Sequence, residues 1–254
     1  MELEHIVKRM SEALLIVDST TETQRESRSG SGAYIPCVGT MWEDDFTREA
    51  IIHWAIKYPE EFENFSEKWL EVSYPNERGK CDLVLKGKGF KPEFGLSAYE
   101  WGIENKYVRF IGDNGKNNDY GVTKVVSPYR KDRSSVLDAE RLTRFSLAER
   151  KAIVMYGFEF NSESLNLALK WCDDNEKYGD QTKNRLRVKN MKSILNKADP
   201  KTHEMSMKDL IPLFEAAAKT KGIKLSRCFE SEFSGLTAHP LYHRGRILAW
   251  EVLE

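Results

Sequence analysis

Hydrophobic residues recur along this chain with two different periods, and the changes between them predict a series of helices and strands. Apolar positions near helical spacing predict helices over 2–16, 44–58, 134–150, 162–171 and 206–218. Alternating or continuous apolar runs between turn residues predict strands over 68–74, 80–85, 99–110, 152–158, 223–229 and 246–252. The first three strands follow one another directly and read as an antiparallel meander. A helix and a nearly all-apolar strand come next, so the pattern predicts a mixed α/β sheet.

Three regions follow from this order of elements. Residues 1–41 form an N-terminal helix and a loop, and residues 42–160 form a core of alternating helices and strands. Residues 161–254 form a C-terminal α+β region, which we expect to pack on the core and which is a candidate for substrate recognition. The segment 19–32 is rich in Ser, Thr and Gly and is either a plain connector or a loop that orders on a partner.

Composition limits the functions that are open to this protein. The 254 residues include 39 Lys and Arg and 40 Asp and Glu, a formal net charge of −1, so any site for a polyanion must be a local patch. The 4 cysteines are scattered without a CxxC pair, which favours a reducing compartment over a disulfide framework or a zinc cage. No segment approaches the roughly 18 apolar residues of a membrane span, and the N-terminus lacks the layout of a signal peptide. We therefore expect a cytoplasmic protein.

The chemistry of this sequence is concentrated on its second and third predicted strands. Asp82 lies in one of them, and Glu104 and Lys106 lie in the other, each within a mostly apolar run. Residues two apart on a strand project from one face, so Glu104 and Lys106 share a face. If the two strands pair through the intervening hairpin, Asp82 lies across from Glu104 on that face. Two carboxylates and one ammonium would then converge.

Two facing carboxylates repel each other unless a cation lies between them. Mg²⁺ satisfies this requirement because it prefers oxygen ligands, takes few of them from the protein and retains waters, and Mn²⁺ can substitute for it. Asp82 and Glu104 are the predicted ligands, and the main-chain carbonyl of Asn105 is an additional one. Lys106 would then orient a water molecule and offset charge that develops on a phosphate. These residue types predict hydrolysis of phosphodiester bonds.

Asp82, followed after a hairpin by Glu104-Asn105-Lys106, resembles the signature of the PD-(D/E)XK nucleases, the restriction-endonuclease-like superfamily. The resemblance covers roughly residues 42–160 and extends to the order of elements, which is helix, three meander strands, helix and strand. One letter departs from the family pattern, because Cys81 occupies the position of the proline.

The resemblance implies a restriction-endonuclease-like core, with a mixed central sheet flanked by helices and a C-terminal α+β elaboration. It also implies a Mg²⁺-dependent nuclease that leaves 5′-phosphate ends. Family members often carry a glutamate on the first core helix that supports the metal site, and Glu49 matches that position. The second core helix of the family faces the site, and Asp138 and Arg141 occupy it here.

Basic residues form two candidate contacts to nucleic acid. The segment 183–197 contains six basic residues and no acid. Alternating basic residues in it would line one side of an extended segment but would spread around a helix, and a solvated face is an equal alternative. A second, weaker cluster precedes the predicted helix at 134. The candidate contacts are Lys183, Arg185, Arg187 and Lys189 in the first cluster and Lys124, Arg130 and Lys131 in the second.

The sequence thus predicts an endonuclease that cleaves DNA, of the restriction or defence type. Cleavage of two strands needs two sites, so a homodimer is the default expectation. Two alternatives stay open at this point, a nuclease acting on RNA or on branched or modified DNA, and a non-catalytic nucleic-acid-binding module. A third reading of the motif itself is a structural ion pair between Asp82 and Lys106, with Glu104 facing solvent.

Overall fold

The computed structural model describes residues 1–22, 35–75, 78–93, 97–112, 122–130, 134–178, 182–198 and 205–253. Seven α-helices lie within these ranges: α1 (Leu3–Thr20), α2 (Glu43–Lys57), α3 (Val122–Val125), α4 (Ser135–Leu142), α5 (Ser162–Tyr178), α6 (Thr182–Leu195) and α7 (Leu210–Thr220). Seven strands accompany them: β1 (Leu70–Ser73), β2 (Lys80–Leu85), β3 (Tyr99–Arg109), β4 (Ala148–Phe158), β5 (Lys224–Leu225), β6 (Phe229–His239) and β7 (Tyr242–Leu253). Among the described helices, none combines the length and the apolarity that a membrane span requires.

All seven strands belong to one mixed open sheet. Its order is β1-β2-β3-β4-β7-β5, and β6 also pairs with β7. The strands β1, β2 and β3 form the predicted antiparallel meander, and β4 lies parallel to β3. A parallel neighbour requires a crossover connection, and the segment between β3 and β4 supplies it with α3 and α4. The expected mixed α/β sheet is confirmed.

Helices cover both faces of the sheet around its central strand. Ten of the eleven residues of β3 are buried, because β3 lies between β2 and β4 and is covered on both sides. One face carries α1 and α2, and Asn105 on β3 contacts Thr47 of α2 there. The other face carries α4 and α7, and Glu104 lies 3.8 Å from Arg141 of α4 there. Consecutive residues of β3 therefore reach opposite helical layers, as strand geometry requires.

Most of the predicted elements are confirmed, but the helix predicted over 134–150 is wrong in its second half. The helix α4 ends at Leu142, and residues from Ala148 onward already belong to β4. The reason is tertiary: the ring of Phe145 fills the space above Gly102, where a Cβ would come within 2.7 Å of it. Ala148 then pairs with Tyr99. Helix-favouring residues at 148–150 are drawn into the sheet by this pairing.

The C-terminal region contains a strand that the sequence pattern missed. The predicted strand at 223–229 is instead the two-residue β5 followed by the start of β6, which continues to His239. Its alternation of exposed and buried positions is interrupted between Ser234 and His239 by an irregular register with β7. The hairpin β6–β7 turns at Pro240 and Leu241. The strand β7 pairs with β4, so the sheet continues from the region 42–160 into the region 161–254.

A polar cluster fixes α1 to the end of α2. Arg9 of α1 donates to the Glu61 carboxylate at 2.5 Å and stacks on the Tyr58 ring, and the Trp54 indole donates to the same carboxylate at 2.7 Å. Burial alone would raise the pKa of Glu61, but hydrogen bonds from Arg9, His5 and Trp54 lower it to about 2. A carboxylate with a lowered pKa stabilises the folded state in its ionised form.

We expect Glu61→Gln to reduce the free energy of unfolding at pH 7 by about 2 kcal/mol. The pKa of Glu61 falls from the ordinary value of 4.5 to about 2 on folding, so its contribution is complete above pH 4.5. That contribution disappears as the pH falls through the folded value. Urea unfolding of both chains at pH 7 and pH 3 should therefore show a smaller difference at the lower pH. A difference that grows on acidification would contradict the assignment.

Candidate metal-dependent hydrolytic site

The strands β2 and β3 separate at the position of the predicted motif. Their ladder joins Leu85 to Trp101, Val84 to Gly102 and Leu83 to Ile103. Beyond this point, side-chain carboxylates rather than β2 accept hydrogen bonds from the β3 backbone. The Asn105 N–H donates to Asp82 Oδ2 at 2.7 Å, and the Tyr107 N–H donates to Glu43 Oε2 at 2.6 Å. The divergence opens a polar notch at the edge of the central strand, which we call the acidic notch.

Cys81 lies at the beginning of this divergence, where the family pattern has proline. Its Sγ is fully buried and lies 3.4 Å from both the Leu83 and the Ile103 carbonyl oxygens. Burial, followed by the charges of Glu104 and Asp82, raises the pKa of this thiol, so it stays protonated. Cys81 is therefore a small apolar filler with a weak donor rather than a nucleophile.

The structure brings Asp82 and Glu104 together, as the strand register predicts. Continuing the ladder by one residue from the pair Leu83–Ile103 places Asp82 beside Glu104. Their carboxyl groups lie within hydrogen-bonding reach of each other. Glu104 is 3% exposed, whereas Asp82 is only partly buried and lines a small cleft with Thr47 and Glu71. One carboxylate is thus internal, and the other faces an opening.

Lys106 is held between two carboxylates from the two helical layers. Its Nζ lies 3.2 Å from Glu43 Oε1 at the start of α2 and 3.1 Å from Asp138 Oδ2 on α4. Burial opposes the charge of this ammonium, but Glu43 and Asp138 together raise the pKa of Lys106 above its usual range. Lys106 is therefore a fixed cation beside the Asp82–Glu104 pair.

The acid that α2 supplies to Lys106 is Glu43, whereas the resemblance assigns Glu49 to support of the metal site. These positions are six residues apart, which is about 240° around a regular helix, so they leave it in different directions. Thr47 is one turn after Glu43 on the same side, and it accepts a hydrogen bond from Asn105 Nδ2 at 3.0 Å. The face of α2 that meets β3 is thus the face of Glu43 and Thr47. The supporting role of Glu49 stays a prediction.

Two residues hold Glu104 from the other side, and no sequence pattern indicated the first of them, Tyr74. The Tyr74 hydroxyl donates a short hydrogen bond to Glu104 Oε1. Arg141 Nη2 lies 3.8 Å from the same oxygen and also pairs with Asp138. The guanidinium of Arg141 sits over the Tyr74 ring, 5.6 Å from its centroid. Tyr74 reaches this position because it follows β1 directly, next to the turn into β2.

The acidic notch carries more negative than positive charge. Its four carboxylates belong to Glu43, Asp82, Glu104 and Asp138, and its two cations belong to Lys106 and Arg141. With every group ionised, the formal charge would be −2, which one divalent cation balances. Burial, and after it the charge of Asp138, raises the pKa of Glu104 to about 7, and burial and Glu104 raise the pKa of Asp82.

The donor atoms of the notch suit a hard cation such as Mg²⁺. Asp82 and Glu104 supply carboxylate oxygens, and the N–H and C=O of one residue in an extended strand point to the same edge. Because the Asn105 N–H points to Asp82, its carbonyl points to the notch as well. Among the described residues, no three His, Cys, Asp or Glu side chains are placed to hold a metal by themselves. Mg²⁺ commonly needs only one or two protein carboxylates, so this donor set fits it.

The basic segment 183–197 forms the helix α6 and not an extended strand, so its alternating residues spread around the helix. Arg185 and Lys189 are one turn apart and exposed, whereas Arg187 is partly buried on another side. Lys183 belongs to α6, but its side chain lies outside the described residues. In the second cluster, Lys124 lies on α3, and Arg130 is exposed, while Lys131 lies outside the described residues.

Comparisons with known proteins do not identify a family. No family model matches the sequence, and no curated protein matches it. Two crystal structures of the plantazolicin methyltransferase BpumL, in complex with SAH and a triazolic or a pentazolic desmethylPZN analog, align at 9% identity. The first alignment covers 65% of this chain and 55% of that chain with a TM-score of 0.22. The second covers 81% and 72% with a TM-score of 0.24. Likeness at this level carries no argument.

We expect Asp82→Asn to stabilise the metal-free protein at pH 8 by about 1 kcal/mol. The substitution removes one of two facing carboxylates, while the amide oxygen can still accept from the Asn105 N–H. Thermal unfolding in EDTA measures the effect. Glu71→Gln is the matched control, because Glu71 is exposed, pairs with Lys80 and should change stability little. A loss of stability in Asp82→Asn would show that the facing carboxylates are not in conflict.

Proposed function

We propose that this protein is a Mg²⁺-dependent endonuclease that hydrolyses DNA phosphodiester bonds. The observation that carries the proposal is the convergence of Asp82 and Glu104 on diverging strands, with the ammonium of Lys106 fixed beside them. The order α2, β1-β2-β3, α4 and β4, with β4 parallel to β3, supports a restriction-endonuclease-like core. A restriction or defence role, a homodimer and Mn²⁺ as a substitute cation belong to the same proposal.

Each group of the notch has a part in the proposed reaction. Asp82, Glu104 and the Asn105 carbonyl would hold Mg²⁺, and Mn²⁺ could take its place. The bound cation would polarise the phosphate and favour the ionised form of a water molecule. The Lys106 ammonium, held by Glu43 and Asp138, would orient the attacking water and offset negative charge on the phosphate. The water oxygen would bond to phosphorus and release a proton to solvent, the bond from phosphorus to the 3′ oxygen would break, and that oxygen would take up a proton from solvent.

A second function is favoured by one specific observation. The charged groups of the notch already have partners within the protein, since Lys106 pairs with Glu43 and Asp138, and Asp82 accepts from the Asn105 N–H. Such a network would also serve a nucleic-acid-binding module that does not cleave. The two proposals differ in a simple assay, because only the nuclease converts supercoiled plasmid to nicked or linear forms when Mg²⁺ is added and stops when EDTA is added.

We expect Asp82→Asn to reduce plasmid cleavage by about 100-fold or more, because it removes a ligand charge and keeps the shape of the side chain. Circular dichroism and thermal unfolding would confirm that the variant is folded. The same assay on single-stranded DNA and on RNA tests the substrate alternatives. Full activity of the folded variant would rule out this site, and binding without cleavage in wild type, with either Mg²⁺ or Mn²⁺, would favour the module.

A matched pair on α2 tests which glutamate supports the site. We expect Glu43→Gln to reduce the cleavage rate by about tenfold or more, because it removes one of the two charges that hold Lys106. If Glu49 supports the metal site as the family resemblance implies, Glu49→Gln should also reduce the rate, whereas a rate within about twofold of wild type would assign the support to Glu43 alone. The reverse ranking in the plasmid assay would restore Glu49 as the supporting acid.

The exposed face of α6 provides the proposed contact to the DNA backbone. We expect Arg185→Ala together with Lys189→Ala to weaken DNA binding and to lower the slope of log K against log salt by roughly 2. Lys192→Ala is the matched control on the same helix, because Lys192 already pairs with Asp173 and Glu176 of α5. Fluorescence anisotropy at several KCl concentrations in EDTA measures both. An equal loss of DNA affinity in the Lys192→Ala control, or no loss in the double variant, would show that α6 does not contact the DNA.

A further inference from the structure

Asp138 occupies the centre of the charge network at the acidic notch. It lies in the first turns of α4, is 5% exposed and has one cation on each side. Its Oδ1 accepts a short hydrogen bond from Arg141 Nη2. Its Oδ2 lies 3.1 Å from Lys106 Nζ, in an ion pair whose angles fall outside those of a hydrogen bond. Asp138 thus pairs with Arg141 of its own helix and with Lys106 of β3.

Both of these cations have competing anions close by. Lys106 feels the charges of Asp82 and Glu104 in addition to its two ion pairs. Arg141 Nη2 is already 3.8 Å from Glu104 Oε1. An ammonium on a flexible stem and a guanidinium with several donors can each turn to a new carboxylate when one partner is removed. The carboxylates available to them are the two that would hold the metal.

We propose that Asp138 is a positioning residue that holds Lys106 and Arg141 back from closer contact with the Asp82 and Glu104 carboxylates, so that these carboxylates stay available to a divalent cation. The inference rests on the proposed function. Asp138 itself need not touch the cation or the substrate. Its contribution is to supply a competing carboxylate, which a metal site beside two positively charged side chains requires.

The test is a double-variant cycle on metal binding. Mn²⁺ affinity is measured by isothermal titration calorimetry for wild type, Asp138→Asn, Arg141→Gln and the combined variant. We expect Asp138→Asn to weaken Mn²⁺ binding by about tenfold or more. Removing Arg141 should then restore affinity more in the Asp138→Asn background than in wild type, because there its guanidinium has lost Asp138 and can move closer to Glu104 than the 3.8 Å of the wild-type structure. Effects that simply add would reflect charge alone and would overturn the positioning role.

Two controls separate positioning from general damage. Glu140→Gln removes a charge from the same helix at an exposed position that pairs with Arg144, and it should leave Mn²⁺ affinity unchanged. Asp138→Glu keeps the charge and should retain most of the affinity. If Asp138→Asn does not fold, Arg141→Gln alone still tests the inference. Mn²⁺ affinity within about threefold of wild type supports it, because Asp138 already holds Arg141 back, and a gain of affinity of about tenfold overturns it.

Cleavage data distinguish failure of this inference from failure of the proposed function. If wild type binds Mn²⁺ and cuts plasmid, but folded Asp138→Asn needs no more Mg²⁺ for half-maximal cleavage, the role of Asp138 is wrong and the nuclease stands. If wild type neither binds Mn²⁺ nor cuts plasmid with either metal, the proposed function falls and the inference falls with it.

Discussion

The buried ammonium of Lys106, on the central strand of the sheet, is the constraint on which the acidic notch depends. A charge at this depth is tolerated only if anions and polar groups replace the water that it loses. Glu43 comes from one helical layer and Asp138 from the other, so Lys106 ties α2 and α4 to the same strand. The position of each helix end relative to β3 is thereby coupled to the geometry of the notch.

Because β2 diverges from β3, backbone N–H groups of β3 lack a strand partner, and carboxylates accept hydrogen bonds from them instead. Once the ladder ends at Ile103, the amides of Asn105 and Tyr107 would lie unpaired at an internal edge. Buried backbone donors are almost always satisfied, and here Asp82 and Glu43 accept from them. The same contacts orient the second oxygen of each carboxylate toward the other charged groups. The contacts that satisfy the backbone N–H groups thus also position the charged side chains.

In the absence of a cation, the negative charges of the two facing carboxyl groups in the notch repel each other. Glu104 and Asp82 face each other, and the pKa of both is raised, first by burial. A protein selected for stability alone would have little reason to place a second acid there, whereas a divalent cation would resolve the conflict. The network of internal partners argues in the other direction, since it satisfies most of these groups without a ligand. The two proposed functions therefore differ in two properties, the stability of the protein without a cation and its affinity for a divalent cation.

The sequence alone determined the local features of this protein. Period-two alternation placed Glu104 and Lys106 on one face, and the hairpin over 86–98 put Asp82 on the neighbouring strand, because both relations depend only on alternation and on the pairing of consecutive strands. The tertiary structure decided the rest. Whether Glu43 or Glu49 meets β3 depends on how α2 is rotated against the sheet, and Tyr74 and Arg141 reach Glu104 only through packing. The end of α4 was set by contacts with Gly102 and Tyr99, which are distant in sequence, and β6 is held by α1 as well as by its hairpin partner β7.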